Sequence, residues 1–323
     1  MIDTIRKELQ YFRMAAHDFG VSMAIKHCVY RRRFYRYGRG MDELKDEVYN
    51  YLYYFLKEQI KEYQSIKEVA SDDAIYKKIW VCWWNGPETM PELVKLCFDN
   101  LKRNAPDDYT VTLINKFNYS NYVDIPDYII ETLNTGGLSI TNLSDILREA
   151  LLYYQGGQWI DASVWVTPDF TRFIDYSKDF WSINLGTVKK KYMLGQVVSG
   201  CKWSGFYLYG KKGNLVCKFA FEAMCRYFKN HTCTIDYFIQ NFIIRIAYDH
   251  VPVIQEMIDS IEISNTDLYS LYLVLNEKYD AKEWERMTKN TGAFKLTQKR
   301  QYDVVYEGRM TYWGYIKNVL SKQ

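Results

Sequence analysis

Asp145, Arg148 and Asp161 are the residues of this chain best placed to do chemistry. Asp145 and Arg148 stand three apart in NLSDILREALLYY, so on a helix they meet on one surface. Asp161 closes the run GGQWID, where an apolar strand first turns polar. A planar guanidinium makes bidentate contacts to carboxylate or phosphate oxygens, and a strand-end carboxylate beside it suits the grip on a polar, anionic ligand. The same spacing also fits a surface ion pair, which stabilises a helix by only a few tenths of a kcal/mol.

These residues need a helix, a tight turn and a strand to bring them together. Ile146, Leu147, Ala150, Leu151 and Tyr154 trace one apolar helix face. Ser144 is expected to cap the start of that helix, and Gly156-Gly157 to end it in the left-handed region. Trp159 and Ile160 then begin a strand that delivers Asp161. Upstream, the pattern predicts a strand from Lys78 to Trp83, and a helix starting near Pro91 with Leu93, Val94, Cys97, Phe98 and Leu101 on one face. A second strand is expected over Tyr109 to Ile114 and a short helix over Ile125 to Leu133. Such alternation predicts an α/β fold, a mainly parallel sheet with helices packed on it. Ligands on such sheets lie beyond the carboxyl ends of the strands, where Trp80 and Asp161 are expected. Downstream, Lys189-Lys190-Lys191 and Lys211 to Asn214 read as turns. Phe219 to Phe228, Thr234 to Asp249 and Leu268 to Leu275 read as helices, and Phe294 to Arg300 as a basic segment. Residues 1–75 form a helical N-terminal region, with a strong helix over Asp42 to Tyr63, and residues 76–323 form the main domain.

Composition narrows the class. The 323 residues are 25% charged and 48% hydrophobic, which describes a folded rather than a disordered chain. Seven cysteines without a CxxC pair point to reduced thiols and a cytosolic setting rather than a disulfide framework or zinc site. The first 20 residues lack the apolar core of a signal peptide, and no run has the length of a membrane span. The four histidines show no ligand spacing, with His250 a distant metal candidate. No GxxxxGK[ST], GxGxxG or GxSxG motif occurs. Residues 1–40 hold nine Lys/Arg against three Asp/Glu, which leaves the rest near −3 for a total of +3. CVYRRRFYRYGRG sets five arginines among aromatics. Two readings of residues 26–40 stand side by side: contact with anionic lipid headgroups, or a solvated helix face. Nucleic acid has no supporting motif.

The combined pattern Ser144-Asp145-Ile146-Leu147-Arg148, Gly156-Gly157, Trp159 and Asp161-Ala162-Ser163 resembles the nucleotide-sugar site of GT-A glycosyltransferases. More narrowly it resembles the bacterial capsular polysaccharide synthesis family, and more distantly the glucosylating toxins and yeast initiating mannosyltransferases. KKIWVCWWNGPETMPELVKLC upstream and KLTQKR downstream extend the resemblance over roughly residues 76 to 300.

The resemblance implies a GT-A, Rossmann-like fold and a set of roles. Asp161 would contact a divalent cation (Mn2+ or Mg2+) or the ribose. Ser163 departs from the two-carboxylate pattern, so the metal would be held weakly, completed by another carboxylate, or not needed. Asp145 and Arg148 would grip the donor's hydroxyls and diphosphate. Trp80 would stack on the base with Ile79 beside it, the reading preferred over a core tryptophan. Trp83, Trp84 and Asn85 would line the same mouth. Asn115, Gly157 and Lys295 would complete the nucleotide-sugar contacts, with Lys299 in the same basic element and Asp236 and Tyr237 on the acceptor side. The implied reaction moves a hexose, with retention, from a nucleotide diphosphate sugar, most simply UDP-linked, to a surface-polysaccharide repeat unit on a lipid diphosphate at the cytoplasmic membrane face. The alternative is a non-catalytic scaffold for another transferase, suggested by the loss of an acidic residue at Ser163.

Overall fold

The computed structural model describes residues 2–37, 41–67, 74–187 and 198–321. Four helices come first: α1 (Ile2–Phe19), α2 (Val21–Tyr37), α3 (Met41–Phe55) and α4 (Lys57–Gln64). Backbone bonds from Leu56 N to Leu52 O and from Ile60 N to Leu56 O carry α3 almost unbroken into α4, as the single helix expected there requires. Leu44, Val48, Leu52, Leu56 and Ile60 recur every four residues and are all buried in the same apolar core as the sheet. This repeat fixes which face of α3–α4 turns inward.

The β/α part runs β1 (Lys78–Cys82), α5 (Glu92–Asn104), β2 (Thr110–Ile114), α6 (Asp127–Asn134), α7 (Ile140–Gln155), β3 (Gly157–Ile160), β4 (Val164–Val166), β5 (Phe180–Ser182), β6 (Tyr207–Gly210), α8 (Leu215–Asn230) and α9 (Ile239–His250). Among the described residues the central sheet has the order β2-β1-β3-β6-β5. β1 pairs in parallel with both β2 and β3, while β6 runs antiparallel to β3 and β5. Four strands therefore share one direction and β6 opposes them, the mainly parallel α/β sheet that the alternation predicts. β5 and β6 are absent from the sequence reading, where the order after residue 170 has no clear period. The aromatic run Tyr207-Leu208-Tyr209 is wholly buried between its neighbours.

The last part comprises α10 (Pro252–Asp259), α11 (Ser270–Val274), α12 (Ala281–Lys289), β7 (Ala293–Lys295), β8 (Val305–Tyr306), β9 (Arg309–Met310) and α13 (Tyr312–Ser321). Leu271, Met287, Phe294, Trp313 and Ile316 form a second apolar cluster there with Leu93, Cys97 and Trp165. β7 pairs antiparallel with β4, setting Val164 opposite Lys295. The basic segment expected at 294–300 thus begins as a buried strand, and only residues 298–300 are exposed.

Three boundaries differ from expectation. Ser139, not Ser144, caps α7, its hydroxyl accepting from Asn142 N at 3.1 Å. The apolar periodicity extends a full turn earlier than Ser144. Helix α8 starts at Leu215 because Asn214 Oδ1 accepts from Cys217 N at 2.9 Å. Helix α9 starts only at Ile239, since Asp236 Oδ1 takes the Phe238 N–H at 2.7 Å and closes a local turn first. Gly156 and Gly157 do end α7 at positive φ, +66° and +108°. A Cβ on Gly157 would stand 2.6 Å from the Lys78 carbonyl, so only glycine lets β3 approach β1 this closely.

Candidate active site

The carboxyl ends of β1, β2 and β3 lie on one edge of the sheet, and Asp161 is the first residue beyond β3. Its backbone N–H donates to Phe206 O at 3.0 Å, and its own carbonyl accepts from Val164 N at 2.9 Å. The carboxylate is therefore held by turns on both sides. Oδ1 accepts from Trp159 Nε1 at 2.9 Å and from Arg148 Nη2 at 3.2 Å. Oδ2 accepts from Lys295 Nζ at 2.7 Å, and the same ammonium donates to Ser163 Oγ at 3.0 Å.

Arg148 is the hub. Nη1 donates to Asp145 Oδ1 at 2.9 Å and to Gln240 Oε1 at 2.7 Å, while the guanidinium lies 5.1 Å over the Trp159 ring. Gln240 in turn donates to Glu149 Oε1. The Arg148 side chain is only 5% exposed against 25% for Asp161, so the cluster opens to solvent through Asp161 and Lys295.

Charge is distributed unevenly. Burial pushes the Asp145 carboxyl up to about 7, with Arg148 opposing and the charges of Asp161 and Glu149 adding to the rise. Burial also raises Glu149. Asp161 ends below the usual carboxylate range: burial pushes it up, but Lys295 and Arg148 outweigh it. Two cations thus face the Asp161 carboxylate and hold it down, while burial pushes the two inner acids up. The mouth is left receptive to an added anion.

The structure joins Asp145, Arg148, Asp161, Ser163 and Lys295, residues that the sequence assigns to one site. Tyr237 stands at its rim. The residue is 57% exposed, yet partial burial of its hydroxyl and the nearby charge of Asp145 push its pKa up. Its carbonyl accepts from Asn142 Nδ2 at 3.2 Å. Asp236 serves the turn before α9.

The expected β1 contacts lie elsewhere. Trp80 sits mid-strand, 2% exposed, its indole N–H on the Gly156 carbonyl at 2.9 Å and Tyr122 packed edge-on at 5.2 Å. It occupies the core, as does the fully buried Ile79. Cys82 is the β1 residue that meets the cluster: burial pushes its thiol up to about 12, and Ser144 lies against it. Trp83 and Trp84, beyond the strand end, are half-buried. Asn115 shapes a turn, its Oδ1 accepting from Phe117 N at 2.9 Å. Gly157 meets strand β1, and Lys299 is exposed on the surface. His250 pairs with the Tyr49 hydroxyl at 3.0 Å.

Glu149, Gln240, Trp159 and Cys82 belong to the cluster without a role from the sequence. Glu149 lies off the apolar face of α7, one turn from Asp145, so the sequence pattern gives little sign of its burial. Gln240, 92 residues from Arg148, leaves none.

A divalent cation at Asp161 does not fit the donors as arranged. Both carboxylate oxygens are engaged by side-chain donors, and an ammonium stands between Asp161 and Ser163. Among the described residues no group of three His, Cys, Asp or Glu is placed to hold a metal. The seven cysteines are free thiols. No described helix is long and apolar enough to cross a membrane. Lys189 to Lys191, and the side chains of the 31–39 arginines, lie outside the described residues.

Fold and site together define an α/β protein with an anion-receptive charge cluster at the ends of its parallel strands. The chain belongs to the capsular polysaccharide synthesis protein family, whose pattern matches residues 33–316. Among solved structures it is similar to the PaToxG glycosyltransferase, at 16% identity and a TM-score of 0.38, over 76% of this chain and 94% of that one. No curated protein matches it.

Proposed function

We propose that this protein is a glycosyltransferase that moves a hexose from a nucleotide diphosphate sugar, most simply UDP-linked, to a lipid-diphosphate-linked repeat unit of a surface polysaccharide, with retention. The observation that carries the reading is the Asp161 carboxylate held between Arg148 and Lys295 at the sheet's carboxyl edge. In the transfer the bond from the anomeric carbon to the β-phosphate oxygen breaks, and its electron pair stays with the phosphate. The acceptor oxygen forms the new bond on the same face, and its proton passes to the released diphosphate. Arg148 and Lys295 stabilise the charge that builds on that leaving group, and Asp145 and Asp161 orient the donor. The half-buried Trp83 and Trp84 offer ring faces for the base, and Tyr237 lies on the acceptor side.

The test is turnover of UDP-hexoses with lipid-diphosphate acceptors. Asp161→Ala should abolish it while circular dichroism stays unchanged. A wild type that turns over no donor, yet is needed in complex by a companion transferase, would instead establish the scaffold role.

We place the acceptor at the cytoplasmic membrane face. Val21, Ile25 and Val29 form one stripe of α2, 58%, 49% and 43% exposed, directly before the arginine run. An apolar stripe beside clustered cations suits an anionic bilayer surface. The protein should co-sediment with phosphatidylglycerol vesicles but not with phosphatidylcholine alone, and Ile25→Asp should weaken the binding. Equal binding to both vesicles would sink this placement.

A further inference from the structure

The space between Asp161 and Ser163 already contains a cation that belongs to the chain. Lys295 Nζ donates to Asp161 Oδ2 at 2.7 Å and to Ser163 Oγ at 3.0 Å. These are the first and third residues of the Asp161-Ala162-Ser163 triplet, of which the resemblance implies Asp161 as the contact for a divalent ion.

This lysine is anchored along its whole length. Its backbone lies in β7, opposite Val164. Lys295 N donates to Leu268 O at 2.9 Å, and the next amide, Leu296 N, donates to Ser163 O at 3.0 Å. The ammonium lies 5.0 Å from the centre of the Phe206 ring, an electron-rich face that favours a cation. Strand pairing, a carboxylate, a hydroxyl and an aromatic face therefore all bring positive charge to one point.

The donor chemistry agrees. Hard divalent cations prefer carboxylates, carbonyls and water, and the hydroxyl of Ser163 is a weak ligand for them. A divalent ion set between Asp161 and Ser163 would also stand against the ammonium, and the two like charges would repel.

We infer that Lys295 is the resident counter-ion of the donor diphosphate, taking the place of a divalent metal, so that nucleotide binding needs no metal. The inference rests on the reading of the Asp161 cluster as the donor site. Lys295 and Arg148 together bring two positive charges, the same total as one divalent ion. When the diphosphate arrives, the ammonium shares its protons between Asp161 and a phosphate oxygen, while Arg148 and Trp159 keep the carboxylate in place. In the transfer described above, the electron pair released onto the β-phosphate oxygen is met by N–H donors already fixed on the protein.

The test is calorimetric titration of UDP and GDP into the full chain, first in EDTA and then with added Mn2+. One nucleotide should bind with the same affinity in both. Lys295→Met should weaken that binding at least about tenfold, the loss of one charge-assisted hydrogen bond, and Lys295→Arg should restore most of it. Binding seen only with Mn2+, or left intact in Lys295→Met, would overturn the inference while preserving the donor site. Failure of the wild type to bind either nucleotide in either condition would remove the donor-site reading and this inference with it. The EDTA arm uses the wild type, so the result does not depend on how well a variant folds.

Discussion

Asp161 and Asp18 are both inward-turned carboxylates, and the molecule satisfies them by opposite means. At the sheet edge Asp161 is answered by the side chains of Lys295, Arg148 and Trp159. In the N-terminal helices Asp18, 1% exposed at its side chain, is answered by two backbone N–H groups together with the side chains of Thr232 and His17. It accepts from Thr232 N at 2.6 Å and Cys233 N at 3.0 Å, with the Thr232 hydroxyl at 3.1 Å and His17 beside it. Both end below the usual carboxylate range. Burial raises each, and it is overcome by cations in one case and by hydrogen bonds in the other. A backbone amide cannot turn to another partner without unfolding its loop. An ammonium on a four-carbon stem can. The first arrangement suits exchange with a ligand; the second pins α1 to the loop between α8 and α9.

The largest effect that would test this contrast is at the hub. Arg148→Met leaves Asp145, Glu149 and Asp161 without their shared cation, and stability should fall by about 3–5 kcal/mol in urea unfolding. A loss under about 1 kcal/mol would mean that the cluster is effectively solvated. Next comes Asp18→Ala, which orphans two backbone N–H groups and should cost about 1–3 kcal/mol while leaving nucleotide affinity unchanged. Should it weaken nucleotide binding as much as Asp161→Ala, the division between exchangeable and structural carboxylates collapses.

The smallest effect is a pH dependence. Asp145 moves from an ordinary 3.8 to about 7 in the fold, so the folded state binds its proton more tightly. Its stabilising contribution is complete below about 3.8 and is lost as pH rises through about 7. Asp145→Asn cannot ionise, so it should gain on the wild type in melting temperature between pH 5 and pH 8. Parallel melting curves would show that Asp145 ionises as a normal surface acid.

Much of this was legible where the signal is local. The helix–glycine–strand unit ending at Asp161 follows from apolar periodicity and the needs of Gly156 and Gly157, and the i,i+3 spacing of Asp145 and Arg148 survives in the structure as a buried pair. Trp80 shows where local reading stops. An aromatic near a strand end can turn toward the ligand or the core, and the deciding partners, Gly156 O and Tyr122, lie far along the chain. Gln240 was out of reach for the same reason. β5 and β6 carry no alternation because both faces are covered, and such strands read only as apolar runs. Lys295 was visible as a basic residue, but only the pairing of β4 with β7 shows that it is a strand residue aimed at Asp161.

That pairing also sets an order in time. Lys295 follows Asp161 by 134 residues, and chains leave the ribosome N-terminus first. Through much of synthesis the nascent protein holds Asp145, Arg148 and Asp161 with β7 still unmade, and the two aspartates share a single arginine. The cluster is completed only once Ala293–Lys295 has been made and laid against β4. A product cut short before residue 293 would retain all five described strands of the central sheet and lack the ammonium that meets Asp161 at its edge.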